Sequence, residues 1–344
     1  MDVTVLEVPQ WQGSGSRTAE RLTEGARLLA GMVPGARRRV PIEIGDDLAA
    51  NAARVREAIV DAGDGLLVTA GGDCGVEFGP ISTMRERYGD RLVVLWFDAH
   101  GDLNTPESSP SGAYHGMVLR GLMGEGPKGL AAEDGLRAGQ IVLAGVRDLD
   151  PAEETFVRES GIRHVRRADV AGLLEAVAEA VAATRIGATT GSGATTNDTA
   201  THSDTGDEDA GDQNTRDGEA RDGQARDDHA GDRNALDGGA GGGAAGDGGV
   251  PGGGGTGGVR ETVGGPVLYV HVDLDVLDPE RFASVGCPTP EGFGPDELLS
   301  MVTALAERYD VVGLGIMEYE PGRVEDHDLL GPLVEGLVKA CSRG

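Results

Sequence analysis

Asp98, His100 and Asp102, in the run Trp96-Phe97-Asp98-Ala99-His100-Gly101-Asp102-Leu103-Asn104, have the types and spacing to do chemistry. They follow an apolar run, residues 92–97, that reads as a buried strand. Side chains two apart on extended chain share a face, so the spacing predicts that all three converge on one point. Two carboxylates and an imidazole suit a divalent cation such as Mn²⁺. The run His271-Val272-Asp273-Leu274-Asp275-Val276-Leu277-Asp278-Pro279 repeats the device. Two such strand ends predict two metals that share carboxylates. Either cluster alone also reads as a turn, because Asp and Asn bond backbone groups nearby. Both together argue against that reading: buried carboxylates crowded without a cation repel one another and stay protonated.

The elements that must position these groups follow from apolar patterning. Residues 3–8, 66–70, 92–97, 141–144, 267–272 and 311–316 are apolar almost throughout and predict strands. Amphipathic stretches at 19–29, 48–62, 80–88, 152–160, 170–184, 295–307 and 329–341 predict helices between them. Apolar strands separated by helices imply a parallel sheet covered on both faces. Ligands of such sheets bind beyond the carboxyl ends of the strands. The polar motifs sit there: Gly71-Gly72-Asp73-Cys74, residues 98–102, residues 273–278, and Glu318-Tyr319-Glu320-Pro321.

Composition separates one stretch from the rest of the 344 residues. Residues 186–265 hold 24 of the 58 glycines, no Phe, Trp or Tyr, and 15 acidic residues against 5 arginines. Such a segment cannot bury enough apolar surface to offset its conformational entropy. We read the chain as a single domain, 1–344, interrupted by a disordered Gly/Asp-rich insertion at 186–265. A chain lacking residues 190–262 is expected to keep its activity and melting temperature; a large loss in either overturns that reading. The net charge of −28 argues against a nucleic-acid partner. No apolar run approaches a membrane span, the N-terminus lacks a basic leader, and three distant cysteines imply no disulfide framework. A cytoplasmic protein is the expectation.

Taken in order, the stations Gly-Gly-Asp, Asp-Ala-His-Gly-Asp, His-Val-Asp-Leu-Asp and Met-Glu-Tyr-Glu-Pro resemble the ureohydrolase (arginase/agmatinase) superfamily, across the whole chain outside the insertion. The resemblance implies an α/β fold in three layers, α/β/α, with a mostly parallel central sheet, as in arginases and deacetylases. It implies two Mn²⁺ per chain and hydrolysis of a guanidino group to urea and an amine by a hydroxide held between the metals. By position, Asp98 and Asp273 match the bridging ligands, Asp102 completes one metal site, and His100 and Asp275 complete the other. Glu318 matches the residue that orients the guanidinium, and His115 the proton-shuttling histidine. Asn104 and Ser111 match a loop that holds an α-carboxylate. Asp150 and Glu153 match one that meets an α-ammonium, although Asp150-Pro151 also reads as a helix start with acids in its first turn. Thr289-Pro290-Glu291-Gly292 resembles a substrate-flanking loop. Relatives often form trimers or hexamers.

Cys74 is the departure, because relatives usually carry a metal-ligating histidine there. A thiolate is soft and anionic, whereas Mn²⁺ favours oxygen and imidazole. Cys74 as a ligand would select Zn²⁺ or Fe²⁺; as a neutral thiol it would leave one metal weak. It also matches a ureohydrolase that cleaves Nω-hydroxy-arginine, and a small buried hydrophobe is the plain alternative. The expected reaction is arginine to ornithine and urea. The alternatives are hydrolysis of Nω-hydroxy-arginine, agmatine or another guanidino compound, an inactive metal-binding paralogue, or direct attack by a cysteine of low pKa. Nearby aspartates oppose the last.

Overall fold

In the computed structural model the described residues are 1–60, 63, 65–190 and 264–343. Among these residues, eight strands form one sheet: β1 (Val3–Val8), β2 (Arg38–Pro41), β3 (Leu66–Gly71), β4 (Leu92–Phe97), β5 (Ile141–Ala144), β6 (Arg163–Val165), β7 (Val267–Asp273) and β8 (Asp310–Met317). Their order is β2-β1-β3-β8-β7-β4-β5-β6, and every neighbouring pair is parallel. Five of the six strands read from the sequence are buried on both faces, where a nearly unbroken apolar run is required; β1, beside the edge strand β2, leaves Thr4 and Glu7 half-buried. The two that were not foreseen, β2 and β6, are the sheet edges; Arg38-Arg39-Val40-Pro41 and Arg163-His164-Val165 carry the charge and proline that edges use to block further pairing.

The helices are α1 (Leu22–Met32), α2 (Leu48–Val60), α3 (Phe78–Tyr88), α4 (Val118–Leu122), α5 (Pro151–Ser160), α6 (Val170–Thr190), α7 (Pro295–Ala306) and α8 (Val324–Cys341). Alternate residues of each central strand face opposite layers. Leu268, Val270 and Val272 pack with residues of α1, α6, α7 and α8. Trp96 and Tyr269 pack with residues of α2, α3 and α4. The expected three layers are present. Helix α6 runs to Thr190, five residues into the range read as insertion; residues 191–263 lie outside the described residues. Among the described residues no helix is long and apolar enough to cross a membrane.

Topology fixes where a site can form. β3 and β4 are consecutive in the chain yet are separated in the sheet by β8 and β7. The loops leaving β3 and β4 therefore part, opening a crevice at the carboxyl ends of the four central strands.

Candidate active site

That crevice is a cavity of about 250 Å³ lined by His100, Asp102, Asn104, Ser111, His115, Asp150, Glu153, Asp273, Asp275 and Glu318, among others. Asp98 and Cys74 are buried beside it. All twelve residues expected at the site thus come together.

The route by which they do so differs from the expectation at the first cluster. β4 stops at Phe97, so residues 98–102 are not extended. Asp98 Oδ1 accepts from the backbone N of His100 at 2.6 Å, which turns the chain. Asp102 then adopts φ of +51°, a left-handed conformation rare for non-glycine residues. The side chains meet because the backbone folds over the strand end. The turn reading also holds alongside: Asp273 Oδ1 accepts from Asp275 N at 2.7 Å. Asp273 thus shapes its turn with Oδ1 and meets the Cys74 thiol with Oδ2, whereas the second oxygen of Asp98 accepts from Trp96 Nε1 at 3.0 Å.

Among the described residues, besides a group formed by Cys74, Asp98 and His271, two sets of donor atoms at or beside the cavity are close enough to share a cation. Asp98, His100 and Asp275 form one, and Cys74, Asp273 and Glu318 another. His100 Nδ1 lies 3.0 Å from Asp275 Oδ2 and 3.5 Å from Asp98 Oδ1. The Cys74 thiol donates to Asp273 Oδ2 at 3.1 Å. Burial, and then the charge of neighbouring carboxylates, raises Asp102, Asp273 and Asp275 above the usual carboxylate range. Asp98 is lowered, because His100 and His271 outweigh its burial. Burial and the same carboxylates push the Cys74 thiol well up, which disfavours a free cysteine nucleophile. Asp102 Oδ2 is buried with no hydrogen-bond partner. An acceptor without a proton donor, among acids that cannot all ionise, fits a divalent cation.

His115 and Glu318 face this wall. The backbone N of Gly15 donates to His115 Nε2 at 3.3 Å, and His115 Nδ1 lies 3.2 Å from Glu318 Oε1. Burial works against charging His115, but Glu318 and Asp73 outweigh it and its pKa rises. Glu318 has φ of +63°, and its backbone N donates to Gly72 O at 2.8 Å. Gly72 is needed there, since a Cβ would sit 1.7 Å from the Gln10 carbonyl. Asp73, the acid of the Gly-Gly-Asp station, accepts from Gln10 Nε2, Gly13 N and Gly75 N. It holds the 10–15 loop against His115, whose backbone N bonds Gly13 O.

At the outer rim Asn104 Nδ2 donates to Asp150 Oδ2 at 2.8 Å, and Ser111 Oγ caps Ala113 N. Glu153 accepts from Leu103 N and Asp150 N with its two oxygens. It therefore starts α5 and ties two rim loops together. Arg147 does similar work unforeseen in the sequence. Its guanidinium donates to the carbonyls of Gly145, Asp275, Val276, Thr289 and Pro290, fixing the 289–292 loop to the turn that follows Asp273. A lysine cannot reproduce that fork. Arg147→Lys is expected to cost about 1–3 kcal/mol, seen as a melting temperature several degrees lower, and to raise KM more than it lowers kcat. An unchanged melting curve would show that the loop does not depend on Arg147.

Two further residues were missed. His271 lies on the same face of β7 as Asp273, and its Nε2 is 3.7 Å from Cys74 Sγ. Glu77, in the turn after Cys74, is 3.4 Å from His271 Nδ1. A histidine inside an otherwise apolar strand, two residues before a candidate ligand, was the available signal for His271. Glu77 had none before the fold was known.

Comparison with known proteins places the chain among relatives of the same fold. A family model described as the Arginase family matches residues 32–191 and 257–329. Arginase of Staphylococcus aureus (strain MRSA252) is 45% identical over 102 residues, 29% of this chain and 33% of that one. N(omega)-hydroxy-L-arginine amidinohydrolase of Streptomyces lavendulae is 38% identical over 130 residues, 37% of this chain and 46% of that one. These matches span a third to a half of the relatives' lengths. The crystal structure of Entamoeba histolytica arginase with L-ornithine shares the fold, with a TM-score of 0.66 at 21% identity over 98% of this chain and 97% of that one. With a family match over most of its length and the sheet, crevice and acidic stations to go with it, the chain belongs to the arginase family, within the ureohydrolases.

Proposed function

We propose that the chain hydrolyses a guanidino amino acid, with arginine converted to ornithine and urea as the first reading. One observation carries it: the Glu318–His115 pair faces the carboxylate wall across a single cavity. Asp98, His100, Asp102, Asp273 and Asp275 are the residues that would hold two divalent ions, Mn²⁺ by their oxygen and imidazole donors. Bound there, such ions supply a water acidic enough to ionise near neutral pH. Glu318 offers a carboxylate to pair with the guanidinium and turn its carbon toward the metals. His115 stands ready to protonate the leaving amine. Asn104, Ser111, Asp150 and Glu153 line the end where an α-carboxylate and α-ammonium would sit.

Nω-hydroxy-arginine is the second reading, favoured by Cys74 and by the similarity to the Streptomyces lavendulae enzyme. The test is urea and hydroxyurea release from arginine, Nω-hydroxy-arginine, agmatine and guanidinobutyrate, with protein reconstituted in Mn²⁺ and metal content assayed on the same sample. Urea from arginine supports the first reading. A preference for hydroxy-arginine replaces it with the second. No turnover with two metals bound overturns both. The expected trimer or hexamer is checked on the same sample by light scattering.

A further inference from the structure

Cys74 leaves the site one imidazole short of the pattern its relatives use, and the structure places another imidazole beside it. His271 is fully buried in β7. Its Nε2 lies 3.7 Å from Cys74 Sγ and 3.9 Å from Asp98 Oδ2. All three donor atoms lie within 4.8 Å of one another. Zinc–sulfur and zinc–nitrogen bonds of about 2.3 and 2.0–2.1 Å at a tetrahedral angle put S and N roughly 3.5 Å apart. The observed pair is close to that spacing without rearrangement.

The surroundings of His271 are built to aim it. Trp96 stacks on the ring with centroids 3.6 Å apart. Glu77 Oε1 lies 3.4 Å from Nδ1, and Glu77 Oε2 accepts from Tyr269 Oη at 2.6 Å. A carboxylate at Nδ1 holds the proton there and turns the lone pair of Nε2 toward Cys74 and Asp98, the arrangement common behind metal-ligating histidines. β8 makes room for this chain of groups. A Cβ on Gly315 would sit 1.4 Å from Glu77 Oε1, and one on Gly313 would sit 2.3 Å from the Tyr269 ring.

We propose that His271, Cys74 and Asp98 form a sulfur–nitrogen–oxygen metal site that takes Zn²⁺ or a similar borderline cation in preference to Mn²⁺, with Glu77 as the positioning residue. The proposal rests on the reading of the cavity as a metal centre and deepens it; it does not depend on the substrate. A site containing thiolate and imidazole favours Zn²⁺, Co²⁺ or Fe²⁺, whereas the Asp98–His100–Asp275 set beside it suits Mn²⁺. The centre would then be mixed.

The test uses the full chain stripped of metal and reloaded with Zn²⁺ or Co²⁺. X-ray absorption at the zinc edge is expected to show one sulfur neighbour at about 2.3 Å, and Co²⁺ a thiolate charge-transfer band. Cys74→Ser is expected to remove both signals. His271→Gln is expected to keep the sulfur signal and weaken Zn²⁺ binding at least tenfold. If that variant fails to fold, Glu77→Gln gives the same readout, with an expected 10–100-fold loss of affinity in a protein whose circular dichroism is unchanged. Zinc bound without sulfur, or with an affinity indifferent to His271 and Glu77, overturns the proposal while leaving the metal centre intact. Failure to bind any divalent ion overturns the metal-centre reading as well.

Discussion

Asp273→Asn is expected to abolish guanidino hydrolysis and, at neutral pH, to make the metal-free protein more stable. The two effects have one cause. Asp273 is buried with Asp275, Asp98 and Glu318 as negative neighbours. With divalent ions bound, that charge is what holds them; without them, it is repulsion in a dry place. An amide keeps the shape and the acceptor for Asp275 N and spares the folded state the cost of either ionising there or holding a proton that the unfolded chain has released. Activity should fall on the order of 10³-fold or more, about 4 kcal/mol of transition-state stabilisation. The metal-free melting temperature should rise by a few degrees. A residue that serves only to cap its turn would show the opposite pattern, with activity kept and stability lost. Calorimetry of both metal-free proteins beside a urea assay distinguishes them.

The sign of the pH dependence follows from the same groups. Burial first, then carboxylate neighbours, lifts Asp273, Asp102 and Asp275 above their unfolded values, and Asp73 is pushed up to about 7 by burial and Glu318. A folded state that holds protons which the unfolded state has released loses stability as pH rises. For Asp73 that window runs from about pH 4, the unfolded value, to about pH 7. His100, raised by Asp275 and Asp98 despite its burial, adds loss in the same direction at higher pH. Asp98 and Asp90, both lowered, run the other way in acid, and His164, lowered mainly by its burial, does so up to the ordinary histidine value, where the raised His115 and His271 offset it. The metal-free melting temperature should therefore fall between pH 4 and 8, and saturating Mn²⁺ should remove the fall. A metal-free curve that rises over that range contradicts the crowding on which the site is argued.

How much of this was legible before the fold was known depends on what each residue answers to. Asp98, Asp102, Asp273 and Asp275 stand out because carboxylates at the ends of apolar strands have no packing reason to be there. Strands β3, β4, β7 and β8 are legible because burial on both faces leaves only apolar residues to choose from. The edge strands were hidden by the same logic, since one free edge needs charge rather than apolarity. The convergence of residues 98–102 was expected for the wrong geometric reason. Strand periodicity cannot report the left-handed Asp102 that brings the third carboxylate round. Glu77 and Arg147 were out of reach altogether. Each works through partners some 130 to 190 residues away in sequence, the Asp275 and Thr289 carbonyls for Arg147 and Tyr269 for Glu77. Only the sheet order brings such partners together.

Glu318→Gln is expected to lower kcat/KM for the guanidino substrate by about 10²–10³-fold, mostly through KM, with both metals retained. Glu318 is buried and held at φ of +63°, a conformation whose cost of about 1–3 kcal/mol persists where surroundings enforce it. The backbone N of Cys74 and Nδ1 of His115 fix its Oε1 at 3.1 and 3.2 Å, so the carboxylate is set before substrate arrives. Removing one partner of a desolvated charge pair costs about 2–5 kcal/mol, which is the loss expected when a guanidinium meets an amide. A second readout separates this role from a ligand's. Burial lowers the His115 pKa, and Glu318 is the largest influence raising it; with the charge gone, the value should fall. Because a general acid must be protonated, the alkaline limb of the rate profile should move to lower pH, and the His115 ring resonance should titrate lower by NMR. Glu318 also lies within reach of the cation that Cys74 and Asp273 could share. Loss of one metal equivalent in Glu318→Gln, with the His115 titration unmoved, would make it a ligand instead of the group that orients the guanidinium.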